Sequence, residues 1–400
     1  MILAHRVRLA PTAAQEAYFA RACGVARFAY NWALAEWQRQ YVAGEKPSQG
    51  VLRKAFNALK DANFPWMREV TKNAPQQAMK NLGRAYANFF DDLKKYRRNE
   101  IPWKRVRVPK FKKKGKTREC FRADNGPDKQ HPDAVQADGM RVKLPIIGWV
   151  KMREEVRFAG RILSVTISRQ ADAWYASFSI EVQYEPEVRA DARVVGVDLG
   201  ITALATLSDG TPKTSAPKPL RRYLQKLKRL SRSLSRKERG SKNRAKAKTT
   251  LARLHRRIAD IRADALHKLT TDLVNRATIV IEDLHVSGMP ANRHLSRAIA
   301  DLGLFEFRRQ LDYKAGMAGS TVVVASRWFP SSKICSACDV KNDTLTLSER
   351  TWTCSSCGTF HDRDMNAAVN LARYPESWAG SACGAEGAGD GQQTVVKPAA

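Results

Sequence analysis

Acidic residues are scarce in this chain. It carries 39 Asp and Glu against 70 Lys and Arg in 400 residues, a formal net charge of +31, with a sequence pI near 10.2. Such an excess repels itself in the folded state and calls for a polyanion. Nucleic acid is the usual one, and the counterions its phosphates release give affinity without sequence information. A merely basic solvated protein and a membrane-surface binder are the competing readings of charge alone. Long apolar runs are also missing. No stretch approaches a transmembrane helix, and the opening MILAHRVRLAPT lacks the apolar core of a signal peptide, so no membrane partner is expected. Cysteine is sparse and odd in number: seven residues, four of them in two CxxC pairs. That excludes a disulfide framework and points to a reducing compartment and metal binding. Apolar residues, in contrast, are ample at 43%, enough for globular cores, and the length predicts two or three domains.

The pattern along the chain changes character three times. HRVRL alternates and reads as a strand ending at Pro11, after which Thr12 is placed to cap a helix. Phe19, Cys23, Ala26 and Tyr30 recur at helical steps, and amphipathic segments continue to about Tyr96. Trp32, Trp37, Phe89 and Phe90 are expected in the core of this region. From Lys104 to Arg118 runs KRVRVPKFKKKGKTR, nine basic residues and no acid, a candidate phosphate contact rather than a plain solvated loop. MRVKLPIIGWVKM, RILSVTISRQ and WYASFSIEVQY then read as strands. With the first strand they are expected to close a small barrel, the helical stretch being an insertion.

RVVGVDLGITALATLSDG opens a new domain as strand, Gly200 corner and strand. A helical hairpin follows. One seam is Leu220, Leu224, Leu227, Leu230 and Leu234, and the other is Leu251, Leu254, Ile258, Ile261, Ala265 and Leu269. Sixteen Lys and Arg and one acid, Glu238, lie between Arg221 and Arg257, which suits the wall of a nucleic-acid channel. ATIVIEDL reads as a buried strand, LGLFEFRRQLDYKAGMAG as a helix, STVVVASRW as a strand and MNAAVNLARY as a helix. The Gly- and Ala-rich tail is expected to be disordered.

Two constellations carry chemistry. Cys335, Cys338, Cys354 and Cys357 form two CxxC knuckles fifteen residues apart, the spacing of a four-thiolate zinc site. Four sulfurs leave no open position, so this zinc is structural. Cys23, Cys120 and Cys383 have no such partners and read as ordinary small side chains. Three acids stand out by position: Asp198 inside the strand RVVGVDLG, Glu282 at the end of ATIVIEDL, and Asp364 in HDRDMNAA at the start of the last helix. Val194, Gly196 and Asp198 share one strand face, as do Thr278, Val280 and Glu282. An acid at a core strand end is costly to bury unpaired, so it is salt-bridged or metal-bound. In the order strand, strand, helix, the three form the carboxylate set of an RNase H-like nuclease fold. Such a set can hold two Mg²⁺ or Mn²⁺ ions for phosphodiester hydrolysis, while thiolates select zinc.

Taken in order, GVDLGITALATLSDG, IVIEDLHVSGM, CSAC…CSSC and HDRDMNAAVNLA resemble the TnpB proteins of bacterial insertion sequences. These are similar to the compact type V CRISPR nucleases and carry a RuvC-type nuclease domain. The resemblance extends to the opening RVRLAPTAAQEAYFARACGVARFAYNWAL, to VPKFKKKGKTRECFR and to VKLPIIGWVKMR, and covers about residues 1–375. It implies a multidomain α/β protein: a β-barrel at 1–11 and 105–190, a helical recognition domain at 12–104, the nuclease domain at 191–330 and 359–375, a zinc ribbon at 331–358 and a disordered tail at 376–400. It also implies an RNA-guided DNA endonuclease, monomeric on a guide RNA transcribed from the transposon end. The target is double-stranded DNA beside a short adjacent motif, and the location is the prokaryotic cytoplasm, on the nucleoid when DNA-bound. Carried over by motif, Asp198, Glu282 and Asp364 are catalytic and bind magnesium, and Asp362 is a cap or helper. Lys72, Asn73, Gln76 and Gln77, on one polar helix face, are candidates for motif reading; Lys110, Lys112, Lys113 and Lys114 are candidates for phosphate contact. The chain departs from the pattern at Asp339, where glycine is common, and in the lead-in Phe329-Pro330-Ser331. A nuclease-inactive guided repressor would have lost an acid. A DDE transposase would share fold and acids without the ribbon between the second and third. A tyrosine transposase needs a His-x-His pair, which is absent, and a plain zinc-ribbon DNA binder leaves the acids unexplained.

Overall fold

The computed structural model describes residues 1–126, 134–183, 193–276, 278–284, 296–346 and 348–374. The chain divides into two compact units, Met1–Tyr184 and Glu185–Ala400.

In the first unit, β1 (Ile2–Arg8) alternates exposed and buried residues and turns Leu3, His5 and Val7 inward. Pro11 cannot donate to a ladder, and Thr12 starts a helix there. Its hydroxyl accepts from the Gln15 N–H at 3.3 Å while the Gln15 side chain accepts from the Thr12 N–H at 3.0 Å, a reciprocal capping box. This opens α1 (Ala13–Val42), whose Phe19, Cys23, Ala26 and Tyr30 are buried as their spacing predicts. Two more helices, α2 (Gln49–Asn63) and α3 (Asn73–Arg97), complete the helical layer. The aromatic expectation needs correcting here. Trp32, Trp37 and Phe89 are only half-buried and Phe90 is exposed, because these rings pack against one another along the helices instead of being enclosed. Trp37 stacks on Tyr86 with centroids 4.1 Å apart.

Strands β2 (Cys120–Asp124), β6 (Arg161–Gln170) and β7 (Ala173–Glu181) join β1 in an antiparallel sheet ordered β1-β7-β6-β2. Strands β3 (Gln136–Asp138), β4 (Arg141–Leu144) and β5 (Gly148–Lys151) form a second, three-stranded sheet. The expected closed barrel is not found among the described residues. A single bridge, Leu9 to Met152, joins the two sheets, and β2 pairs with β6 alone. Pro11 ends the ladder before it can continue around. Helix α1 covers the four-stranded sheet, with the Phe19 ring 5.2 Å from that of Trp174.

The second unit is built on β8 (Val194–Asp198), β9 (Ala203–Leu207), β10 (Thr214–Ser215), β11 (Thr278–Glu282) and β12 (Thr321–Ala325), ordered β10-β9-β8-β11-β12. Strand β8 runs antiparallel to β9 and parallel to β11, which is parallel to β12. Around this sheet lie α4 (Pro219–Ser235), α5 (Lys242–Leu273), α6 (Ser296–Leu302), α7 (Leu304–Ala318) and α8 (Arg363–Ala372), with a small hairpin of β13 (Thr351–Thr353) and β14 (Phe360–Asp362). Val195, Val197, Ile279 and Ile281 face one side and pack with Leu266, Leu269 and Leu273 of α5 and Phe307 and Leu311 of α7. The other face carries Gly196 and Val280, and Val280 packs with Leu371 of α8 and Phe329. A Cβ at Gly196 would stand 2.0 Å from the Ala368 carbonyl oxygen and 2.4 Å from the Ala372 nitrogen. Only glycine admits a helix this close, and that approach sets α8 directly over β8. In the α4–α5 hairpin, Leu254, Ile258 and Leu269 are buried and the five leucines of α4 half-buried, so the two seams meet and leave the basic faces outward.

Candidate active site

Alternation in two neighbouring parallel strands decides the site. The register pairs Val280 with Gly196 and Ile281 with Val197, so the next residues, Glu282 and Asp198, stand side by side at the carboxyl ends of β11 and β8. Crevices at such strand ends are where open α/β sheets bind ligands. Asp364 arrives from above, in the first turn of α8, on the helix that Gly196 lets down onto β8. Asp362 is the N-cap of that helix, its carboxylate accepting from the Met365 N–H at 2.9 Å, in keeping with a capping role.

Electrostatics marks the three as one group. The Asp198 carboxyl is pushed up from 3.8 to about 7, first by burial and then by the nearby charges of Glu282 and Asp364, with Arg363 and Lys213 opposing. Carboxylates crowded in low dielectric resist ionising together, and a divalent cation relieves that conflict directly. Hard oxygen donors at this charge density fit Mg²⁺ or Mn²⁺. Their partners were not visible in the motifs. The Lys213 ammonium lies 2.8 and 2.9 Å from the Asp362 oxygens and 3.3 Å from Asp364 Oδ2. The Ser331 hydroxyl donates to Glu282 Oε1 at 2.5 Å, and Arg350 lies 3.8 Å from Asp364. Lys213 sits beyond the second strand in a polar loop with no periodic pattern. Ser331 belongs to the departing lead-in Phe329-Pro330-Ser331, for which the sequence predicts no contact with a catalytic acid; its bond to Glu282 corrects that expectation.

The four cysteines meet as their spacing predicts. Cys335, Cys338, Cys354 and Cys357 are the one group of three or more candidate ligands among the described residues whose donor atoms all lie within 4.8 Å of each other. Cys335–Cys357 and Cys338–Cys354 sulfurs are each 3.6 Å apart. Sulfurs at roughly 2.3 Å from a tetrahedral zinc are roughly 3.8 Å from one another, so this set fits the ion and is too open for disulfides. The two knuckles repeat one geometry. Asp339 N–H donates to Cys335 O and Gly358 N–H to Cys354 O, both at 2.9 Å, and both residues have positive φ, 60° and 71°. Asp339 thus occupies the left-handed position that glycine fills in the second knuckle. The Thr359 hydroxyl and backbone N–H hold the Cys357 thiol down to about 6, which favours the thiolate that zinc requires. His361 Nε2 lies 3.0 Å from Cys335 Sγ, and burial lowers the imidazole's pKa. A neutral ring can donate to the sulfur as an outer-sphere partner, a role the HDRD motif did not announce. Cys23 is buried, and burial pushes its thiol up, as an inert side chain requires; Cys383 lies outside the described residues.

The expected motif-reading face of α3 divides. Lys72 is exposed and Gln76 half-buried. Asn73 donates to the Asp124 carbonyl at 3.2 Å, and Gln77 is buried and bonded to the Asp124 carboxylate. Asn73 and Gln77 therefore tie the helix to β2 and do not share one open face with the other two. In the basic run, Lys110, Lys113 and Lys114 are exposed. Lys112 is half-buried with its ammonium 3.8 Å from the Tyr30 ring centroid, and its backbone pairs with the Asn31 side chain. No helix among the described residues is long and apolar enough to cross a membrane.

Three family models match the chain: "Probable transposase" of the OrfB type at residues 177–293, "Cas12f1-like, TNB domain" at 305–371, and "Helix-turn-helix domain" at 1–46. The last description fits poorly, since residues 1–46 hold a strand and one 30-residue helix. Among solved structures, one titled as a Cas12f1–sgRNA–target DNA complex aligns at TM-score 0.56 and 13% identity. The alignment covers 90% of this chain and 83% of that one, a likeness of fold alone. A Mycobacterium tuberculosis protein named "Putative RNA-guided DNA endonuclease" is 37% identical, covering 94% of this chain and 87% of its own. One of that name from Streptomyces pristinaespiralis is 38% identical over 95% and 90%, and Escherichia coli InsQ, named likewise, is 35% identical over 92% and 91%. With motifs, fold and near full-length identity in agreement, the chain belongs to the TnpB family of insertion-sequence proteins.

Proposed function

We propose that this chain is an RNA-guided DNA endonuclease that cleaves by metal-dependent phosphodiester hydrolysis at Asp198, Glu282 and Asp364. The single observation that carries the reading is the meeting of three acids from β8, β11 and α8, with the Asp198 carboxyl raised to about 7 by burial and the other two. The strand order β10-β9-β8-β11-β12 supports an RNase H-like, RuvC-type core. Two divalent ions, when bound, would supply the charge that activates water and stabilises the departing 3′ oxygen. Around them the chain's own groups act in named ways. Asp198 gives up its proton on loading, Ser331 holds Glu282 through one hydrogen bond, and Lys213 balances the Asp362–Asp364 pair. Cys335, Cys338, Cys354 and Cys357 hold a structural zinc in the ribbon 331–358.

The partners follow from family and charge. A guide RNA and its heteroduplex with target DNA are held through backbone contacts in a positive channel. The exposed Lys110, Lys113 and Lys114 and the outer faces of the α4–α5 hairpin are suited to phosphates. Lys72 and Gln76 are the remaining candidates for reading the adjacent motif, and alanine at both tests this by changing which motif is cut. The complex is one protein per RNA, acting on the nucleoid in the cytoplasm. A nuclease-inactive repressor is disfavoured because all three acids are present and grouped. The test is cleavage by the purified protein–RNA complex with Mg²⁺. Cutting should follow the guide when its sequence is changed; cutting of one fixed sequence by RNA-free protein would overturn the guided reading and leave only a nuclease.

A further inference from the structure

Helix α8 faces both metal sites, and two of its buried side chains connect them. Asn366 and Asn370 are one turn apart, and only 2% and 4% of their surfaces are exposed. The Asn370 amide donates to the carbonyl oxygens of Ser331 and Ile334, both at 2.7 Å. The Asn366 amide donates to the Ile334 oxygen at 2.7 Å and to the Ser331 oxygen at 3.5 Å, while its own oxygen accepts from the Ser336 N–H at 2.9 Å. Ile334 and Ser336 flank the first zinc ligand, Cys335. Ser331, whose backbone is gripped by both amides, uses its hydroxyl to hold Glu282. Asp364 lies on the same helix, one half-turn before Asn366. A buried amide that forms no bond is expensive, so the polar network has one arrangement in which all of its members are satisfied. That arrangement fixes the zinc knuckle, Glu282 and Asp364 relative to one another.

We propose that Asn366 and Asn370 are positioning residues that transmit the folding of the zinc knuckle to the spacing of Glu282 and Asp364, so that zinc occupancy and divalent-ion binding at the acids are thermodynamically coupled. Coupling of this kind is reciprocal and runs here through a contiguous hydrogen-bonded chain. The inference rests on the reading that the three acids bind the catalytic ions. Outer-sphere partners of metal ligands typically change affinity by roughly 10–100-fold when removed, and that is the range expected here.

The experiment measures Mn²⁺ binding by electron paramagnetic resonance, together with the Mn²⁺ concentration at half-maximal cleavage, on the protein–guide RNA complex. Wild type, Asn370→Ala, Asn370→Asp and Asn366→Ala/Asn370→Ala are compared, each zinc-loaded and zinc-stripped. Zinc removal should weaken Mn²⁺ binding in the wild type at least tenfold, and the double variant should show that loss already when zinc-loaded, with little added by stripping. Asn370→Asp keeps the side chain's size but loses both donors and turns a charge on the carbonyls, so it should behave like alanine; a merely space-filling role would leave it near wild type. Equal effects of zinc removal in wild type and double variant would overturn the coupling, as would unchanged Mn²⁺ affinity in a folded, zinc-loaded Asn370→Asp. If alanine variants fail to fold, the wild-type zinc comparison and Asn370→Asp still decide. Intact Mn²⁺ binding in Asp198→Ala would instead refute the acid site itself.

Discussion

The second unit holds two clusters of candidate metal ligands that share α8 and differ in how the chain treats their charge. At the ribbon, backbone N–H groups and the Thr359 hydroxyl favour the thiolates of Cys354 and Cys357. Against the Val340 N–H, burial and crowding by the other three sulfurs push the Cys338 thiol up to about 12, so two of the four donors are prepared for a cation and one is not. At the acids, burial and then the charges of Glu282 and Asp364 push the Asp198 carboxyl up to about 7. One cluster is a closed four-donor cage, packed on the small buried cluster of Leu345 and Trp352. The other is left in electrostatic conflict that bound cations and a phosphate can resolve.

The strongest way to break this contrast is to remove an acid. Asp198→Ala, Glu282→Ala or Asp364→Ala should lower guided cleavage by on the order of 1,000-fold or more, since metal-ion stabilisation of a transition state is worth several kcal/mol. Guided DNA binding, read by filter retention, should stay near wild type. Asp362→Ala removes only a cap and a Lys213 partner and should cost far less cleavage. The reverse ranking of Asp362 and Asp364 would mean that the roles are exchanged.

Next in size is the cage. Wild type should carry one zinc per chain by elemental analysis, and Cys335→Ser or Cys354→Ser should lose it and expose residues 331–358 to protease. A segment this small has too little core to fold without its ion. Zinc-free wild type with an ordered ribbon would erase the distinction between the two sites.

The pH response sharpens the comparison further. Because Asp198 binds its proton more tightly folded than unfolded, the folded state holds more protons between about pH 4 and pH 7. In magnesium-free buffer its contribution therefore favours folding below about pH 4 and is lost as pH rises through 7, a swing on the order of 4 kcal/mol at most. Asp198→Asn should flatten that slope in denaturant melts and raise stability at pH 7.5, at the expense of cleavage. Parallel curves for the two proteins would show that Asp198 is not in conflict. The smallest effect lies in the knuckles. Asp339→Gly should stabilise by up to about 1 kcal/mol, because a left-handed backbone suits glycine better than aspartate, whereas Gly358→Ala should cost about as much. Thermal melts of the zinc-loaded proteins compare them.

The elements that sequence made legible are those with local causes. Thr12 and Gln15 cap α1 by a bond spanning three residues, the leucine seams repeat at helical steps, and each CxxC turn aims its sulfurs within four residues. The acids were legible through alternation, since one strand face carries Gly196 with Asp198 and the neighbouring strand carries Val280 with Glu282. What local pattern could not decide was closure and partnership. The barrel expected from β-rich segments is instead two sheets joined by the Leu9–Met152 bridge, because strand pairing depends on registers between distant residues. Gln77 looked like an open polar residue and is buried against Asp124, since helix phase says which residues align and not which face the fold covers. Ser331, Lys213, Asn366 and Asn370 are ordinary polar residues in the sequence. Their roles arise only where α8, seated over Gly196, brings the zinc knuckle, β11 and the β9–β10 hairpin to one place.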